Sequence, residues 1–171
     1  MLTAIALLIL RVVTGLTVAA HGSQKLFGWF NGPGISGFHG MLDRLGVRPA
    51  RPWAYVAALA EFLGGLGVAL GLLTPLAALA VCGAMLVAIG MVHWSKGFFN
   101  SAGGLEFPLQ ILAVMLVLSL IGPGRLAIDS LIGFSISMTV WVIAAVLVLI
   151  GSVAAIVMPR VRAAQTRRAL S

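Results

Sequence analysis

The chain has 171 residues, of which 61% are hydrophobic and 9% charged, with a mean hydropathy of +1.13. A soluble globular domain carries about a quarter charged residues and a disordered chain is more polar still, so both classes are excluded and the chain is a membrane protein. The net charge of +7 does not indicate nucleic acid, because the 11 Lys and Arg form no patch interleaved with aromatics and lie mostly in loops and the tail.

A spanning helix needs about 20 apolar residues to cross roughly 30 Å of hydrocarbon, so this length allows about five or six spans and no separate soluble domain. Five apolar stretches answer to that description, at roughly 2 to 24, 53 to 73, 75 to 94, 105 to 122 and 136 to 158. The first span ends near a long separator from Gly28 to Pro52, punctuated by Asn31-Gly-Pro-Gly34 and carrying Asp43, Arg44, Arg48 and Arg51. The second and third spans meet at a tight turn around Thr74-Pro75 and are dense in glycine (Gly64, Gly65, Gly67, Gly71, Gly83, Gly90). Gly67 and Gly71 are spaced as a small-xxx-small pair, which lets helices approach closely in lipid. No strand precedes these glycines, so they are no nucleotide fingerprint. The third separator, Ser95 to Gly104, holds Lys96 and Asn100; the fourth opens with Gly122-Pro-Gly-Arg125 and holds Asp129. Cys82 is alone in an apolar run, so dithiol chemistry within the chain is excluded.

Cytoplasmic segments accumulate Lys and Arg. With the first loop, third loop and tail inside, that side holds Arg44, Arg48, Arg51, Lys96, Arg160, Arg162, Arg167 and Arg168 against Arg125 alone on the other. This predicts an N-terminus outside and a C-terminus in the cytoplasm. A cleaved signal peptide is the rival reading of the first span, with Val18-Ala19-Ala20 as its cleavage site, but the span lacks a basic n-region and Arg11 interrupts its apolar core. The basic tail serves first as an orientation anchor and second as a contact for anionic lipid head groups.

Ionisable groups inside a membrane are costly and usually face the protein interior, which makes a short set informative: Arg11, His21 and Lys25 in the first span, Glu61 in the second, His93 and Lys96 at the end of the third, and Glu106 opening the fourth. Successive spans alternate direction, so His21, Lys25, His93, Lys96 and Glu106 share one layer, with Glu61 about 12 Å in from Trp53 and Arg11 about 15 Å deeper than His21. The set forms a polar funnel narrowing toward the midplane. His21 and Lys25, four residues apart, share a helix face. Arg11 lies within about 80° of His21 on the helical wheel. Glu61 then has Arg11, His21 or Lys25 as the partner that keeps it ionised. The structural alternatives are snorkelling of Lys25 and Lys96 to the interface, interfacial hydrogen bonds for His21 and His93, and a purely interhelical pair for Glu61 and Arg11.

Two histidines at similar depth invite a haem, but no haem-specific motif accompanies them. A metal on His21, His93 and Glu106 has suitable ligand types, without a constraining spacing. A quinone fits the set better, because its flat ring and tail need an apolar cleft and its carbonyls need a donor such as His or Lys beside a protonatable group. Trp29, with Phe27, Phe30, Phe98 and Phe99, clusters on the same side; an aromatic interface belt is its first explanation and a support for the ring its second.

The run His21-Gly-Ser-Gln-Lys25-Leu-Phe-Gly28-Trp-Phe30 with Gly32-Pro-Gly34 resembles the opening motif of the DoxX family of small bacterial membrane proteins. Ala60-Glu61-Phe-Leu-Gly64-Gly65 with Leu70-Gly71-Leu-Leu-Thr74 resembles its second helix. His93 and Lys96-Gly-Phe-Phe-Asn100, with Gly103-Gly-Leu-Glu106, are similar to its third loop, and Gly122-Pro-Gly-Arg125 to Asp129 to its closing motif. The resemblance spans about 5 to 132 and implies an all-α four-helix transmembrane bundle over residues 1 to 132, to which this chain adds a further C-terminal transmembrane helix (133 to 158) and a basic cytoplasmic tail (159 to 171). Leu105 stands where many members have Tyr, so no role is carried over for that hydroxyl.

The family resemblance further implies a bacterial cell (inner) membrane protein linked to quinone-dependent sulfur-compound oxidation and to oxidative-stress defence. Carried over residue by residue, its candidate ligand site comprises His21, Lys25, Glu61, His93, Lys96 and Glu106, with Arg11 and Trp29 in support. The expected function is an integral membrane subunit of a redox or oxidative-stress complex, holding a quinone or similar lipophile and contacting lipid, a redox partner protein or a second copy of itself. Two other classes remain open on the residues alone: a small-molecule or ion permeation protein, for which neither an internal repeat nor broken helices are evident, and a non-catalytic scaffold docking partners through the Gly28 to Pro52 loop.

Overall fold

A computed structural model describes residues 1–169, without the side chains of residue 163 and residues 166–169, so the predicted tail charges of Arg167 and Arg168 lie outside the described residues. The described chain is helical without strands: α1 (Leu2–Phe27), α2 (Gly34–Arg44), α3 (Ala50–Leu70), α4 (Thr74–Ala88), α5 (Glu106–Ile121), α6 (Ile128–Ile132) and α7 (Met138–Ala169). The architecture is that of an all-α membrane protein. Four helices are long and apolar enough to cross a bilayer: Leu2–Phe27, Ala50–Leu70, Thr74–Lys96 and Met138–Arg162. The fourth predicted span, α5, has 16 residues, or about 24 Å, short of the roughly 30 Å hydrocarbon core.

α1 and α3 run antiparallel along a seam of small residues. A Cβ on Gly15 would sit 2.6 Å from the Gly65 carbonyl oxygen and 2.9 Å from Ala69 Cβ, and one on Gly65 would sit 2.5 Å from Ala19 N. At Gly22 a Cβ would run into the Phe62 backbone. Without a hydrophobic drive between helices in lipid, this backbone approach is what holds them. The predicted Gly67 and Gly71 pair has other duties. Gly67 faces the Ala77 methyl and the Leu72 carbonyl, while Gly71 ends α3 in the left-handed region (φ 69°), where a side chain would strike the Arg11 guanidinium.

The central core joins Val18 of α1, Val68 of α3, Val81, Cys82 and Met85 of α4, and Ile111, Met115 and Leu118 of α5. A second cluster lies toward one end, where Phe38 and Leu42 of α2 pack on Val47, Ala50, Ala54 and Ala58. The sequence reading treats residues 28 to 52 as a separator, yet 34–44 form a helix. Its apolar positions Ile35, Phe38, Met41 and Leu42 follow the three-four spacing, but the flanking Gly and Pro residues mask so short a pattern.

α4 does not end at Ala88. It continues through a π-helical turn (Ile89–His93) and a 3-10 turn (Trp94–Lys96). α7 lies parallel to α4, with Val148 and Ser152 near Gly83 and Ile156 near Gly90. Past Pro159, the Arg160 guanidinium donates to the Gly90 carbonyl (2.8 Å) and Arg162 donates to the Arg48 carbonyl (3.3 Å). The end of α7 therefore lies against the π turn and the α2–α3 connection.

Candidate functional site: an intramembrane cavity with a Lys25–Glu61 pair on its wall

Between α2, α3, α4 and α7 lies a cavity of about 580 Å³. Its floor runs along α4 from Ala80 to His93, about 20 Å at 1.5 Å per residue. One wall is α3 (Trp53, Val56, Ala57, Ala60, Glu61) and the opposite wall is α7 (Val148, Gly151, Ser152, Ala155, Met158). Phe38, Met41 and Leu42 of α2 close one end beside Arg48 and Arg162. The lining is mostly small and apolar, which suits an elongated lipophile.

Polar groups on this wall are few. Lys25 Nζ pairs with Glu61 Oε1 and stands 5.1 Å from the centroid of the Phe38 ring. Glu61 is 2% exposed, and its second oxygen, Oε2, has no hydrogen-bond partner among the described residues. The Lys25 side chain is 25% exposed. His93 Nδ1 lies 2.7 Å from the Gly103 carbonyl; a carbonyl only accepts, so Nδ1 carries a proton and donates it there. The π turn delivers His93 to the cavity. Such turns interrupt the α-helical ladder and recur at functional sites.

The structure brings Lys25, Glu61 and His93 onto one cavity and leaves the other predicted residues off it. His21 is exposed, its ring tilted against Phe107 at 5.4 Å. Lys96 is exposed, and Glu106 Oε2 accepts from the Asn100 N–H (2.9 Å), tying the 97–106 loop. Trp29 is exposed and its ring lies tilted against Phe27 (5.0 Å between centroids). Among the described residues no group of three or more His, Cys, Asp and Glu is placed to hold a metal ion, so His21, His93 and Glu106 do not come together.

Arg11 belongs to a different cluster. It is fully buried, donates to the Leu126 carbonyl and interacts electrostatically with Asp129. Asp129, 1% exposed, accepts from the Leu73 N–H (2.7 Å) and the Thr74 N–H (2.8 Å), while its own N–H donates to the Gly71 carbonyl (2.8 Å). Arg11 and Lys25 are 14 residues apart on α1, about 21 Å. The funnel predicted from depth alone thus divides into a cavity-lining pair and a buried clasp around the α3–α4 turn. The sequence pattern places Asp129 in the segment after Gly122-Pro-Gly-Arg125 and gives it no site role. The available signal was the α4 start itself, which has no side-chain cap of its own and so needs one from elsewhere.

The DoxX family model matches residues 6–94, from early α1 through the π turn to Trp94. The chain belongs to the DoxX family. The matched segment carries the Lys25–Glu61 pair and His93, whereas α5, α6 and α7 lie beyond it. No curated protein and no solved structure matches the chain. DoxX membership fits a membrane protein and leaves the occupant of the cavity to be argued from chemistry.

Proposed function

We propose that this DoxX protein is an integral membrane subunit of a redox or oxidative-stress assembly and holds a quinone-type lipophile in the cavity between α3, α4 and α7. The observation that carries the reading is a buried ion pair, Lys25–Glu61, on the wall of an otherwise apolar cavity about 20 Å long. A buried pair of this kind is expensive in a membrane, and a cleft lined by alanine, glycine and valine has room for a ring and a prenyl or alkyl tail. Lys25 supplies a donor and Glu61 an acceptor to the head group. His93 supplies a third polar contact at the same end. In this reading the protein sits in the bacterial cell membrane with the Lys25 end toward the cytoplasm. It works with a partner protein, because dithiol chemistry is closed to a chain with the single cysteine Cys82.

The test is titration of the purified full chain with a short-chain quinone, followed by tryptophan fluorescence, since Trp53 lines the cavity. Saturable quenching is expected, lost in Gly151→Leu. A Cβ at Gly151 meets nothing within 4 Å, so that variant fills the cavity without disturbing a packed neighbour. His21→Ala is the matched control and keeps the response. Absence of saturation, or equal quenching in Gly151→Leu, refutes the reading.

A further inference from the structure

We infer that the same cavity also takes an anionic phospholipid from the leaflet that meets its His93 end, with the phosphate held by Arg48 and Arg162 and one acyl chain laid along α4. The inference adds a second occupant and rests, like the quinone reading, on the cavity being open to lipophiles.

Shape is the first ground. Trp53 and Val56 of α3 and Gly151 and Met158 of α7 line the cavity yet are exposed, so it opens sideways between these two helices toward lipid. Its floor, about 20 Å long, matches or exceeds the hydrocarbon depth of one leaflet, about 15 Å as half of the core. A chain entering from the side therefore fits over its length, with its tail toward Ala80 and its head at the His93 end.

Charge is the second ground, because it is gathered at that end alone. The α4 floor from Ala80 to Met91 is small and apolar, whereas the charged lining residues are three cations, Lys25, Arg48 and Arg162, and one acid, Glu61, which Lys25 already engages. Two basic segments meet there: Arg162 donates to the Arg48 carbonyl at 3.3 Å across 114 positions of sequence, and a Cβ on Gly46 would stand 3.6 Å from Pro159 Cβ. Arg44 and Arg51 belong to the first segment and Arg160 to the second.

Arg48 is placed to take a phosphate. Its hydrogen bonds, to the Asp43 carbonyl and carboxylate and to the Val47 carbonyl, all run through Nη1. The Nε and Nη2 edge of the guanidinium remains, and that edge matches two phosphate oxygens. The Arg48 and Asp43 side chains are 53% and 50% exposed, so their ion pair is of the weak, solvent-screened kind that a phosphate can outcompete. A zwitterionic lipid brings a cation of its own among the arginines, which offsets the attraction to its phosphate.

The experiment is native mass spectrometry of the full chain, stripped of lipid in detergent and titrated with phosphatidylglycerol and phosphatidylcholine of identical acyl chains. One phosphatidylglycerol is expected to be retained, about ten-fold or more tightly than phosphatidylcholine, a factor that two arginines near one head group supply. In the double variant Arg48→Gln, Arg162→Gln the preference falls to about three-fold or less. The double variant Arg44→Gln, Arg51→Gln, equal in charge and off the cavity lining, keeps it. Gly151→Leu, which fills the cavity, loses retention of both lipids. Equal retention of the two lipids by the unaltered protein overturns the inference. So does loss of the preference in both double variants alike, which marks a diffuse basic surface, or undiminished retention in Gly151→Leu, which puts the lipid outside the cavity. Lipid preference without quinone quenching upholds this inference and refutes the quinone reading alone; quenching without lipid preference does the reverse.

Discussion

Replacing Asp129 tests the view that Arg11 and Asp129 form a structural clasp rather than an extension of the site. Its two carboxylate oxygens take the Leu73 and Thr74 N–H groups, at 2.7 and 2.8 Å, where α4 begins without a cap of its own. Hydrogen bonds to a charged group contribute about 1.5–3 kcal/mol each, so Asp129→Ala, losing both, is expected to destabilise by about 3–6 kcal/mol. Asp129→Asn keeps one acceptor and costs about one such bond, about 1.5–3 kcal/mol, but it also leaves the buried Arg11 charge uncompensated. Arg11 itself has Nε and Nη1 without partners among the described residues, and a buried charge pair is often replaced by apolar groups at little net cost. Arg11→Met in the Asp129→Asn background should therefore restore part of the loss. The assay is reversible unfolding in mixed micelles titrated with a denaturing detergent, followed by far-ultraviolet circular dichroism. A change below about 1 kcal/mol for Asp129→Ala, within what an ordinary surface substitution gives, refutes the clasp. So does strict additivity of Arg11→Met and Asp129→Asn, since two charges that interact electrostatically couple.

Three further outcomes follow from the same geometry. Gly65→Val drives a side chain into the α1 backbone, where even a Cβ stands 2.5 Å from Ala19 N, and should cost about 1–3 kcal/mol or more in the same unfolding assay. Lys25→Met or Glu61→Gln alone should each destabilise by about 3–5 kcal/mol, with the double variant less affected than the sum, because each single change strands the other charge; additivity would show the pair to be uncoupled. For topology, in a Cys82→Ala background, a cysteine replacing exposed Lys96 should react with an impermeant thiol reagent only after the membrane is opened, and one replacing exposed Arg125 without opening it. The reverse pattern would invert the orientation.

The long helices were legible because periodicity hardly matters in a membrane: α1, α3, α4 and α7 announce themselves by apolar length alone. Their contacts were less so. Depth along alternating spans puts Lys25 and His93 in one layer with Glu61 deeper beside it, and the three do line one cavity. The same reasoning grouped His21, Lys96 and Glu106 with them, because depth fixes height in the bilayer and says nothing of azimuth. His21 follows Ala19 and precedes Gly22, both buried in the α1–α3 seam, and at 100° per residue it cannot share their direction. That rotation is set by the seam in which Gly22 faces Phe62 and Gly15 faces Gly65. Arg11 failed for a related reason. Its partner Asp129 stands 118 positions later in sequence, in the short helix α6, whose position beside the start of α4 no local pattern predicts.

The cavity depends on a helix outside the family match. α7 seats on α4 through Gly83 and Gly90, where a Cβ would stand 3.0 Å from Val148 Cγ1 and 2.6 Å from Ile156 Cδ1, so its line is set by α4 and not by α3. With α7 seated on α4, the floor between α3 and α7 is lined by the small residues Ala80, Gly83 and Ala84. Arg160 on the Gly90 carbonyl and Arg162 on the Arg48 carbonyl then fasten the far end. The matched segment thus contributes the polar groups of the cavity, Lys25, Glu61 and His93, and the added helix contributes the wall opposite Glu61. If the cavity holds a lipophile as proposed, changes on α3 are expected to act on head-group selection and changes at Gly151 or Ala155 of α7 on tail selection.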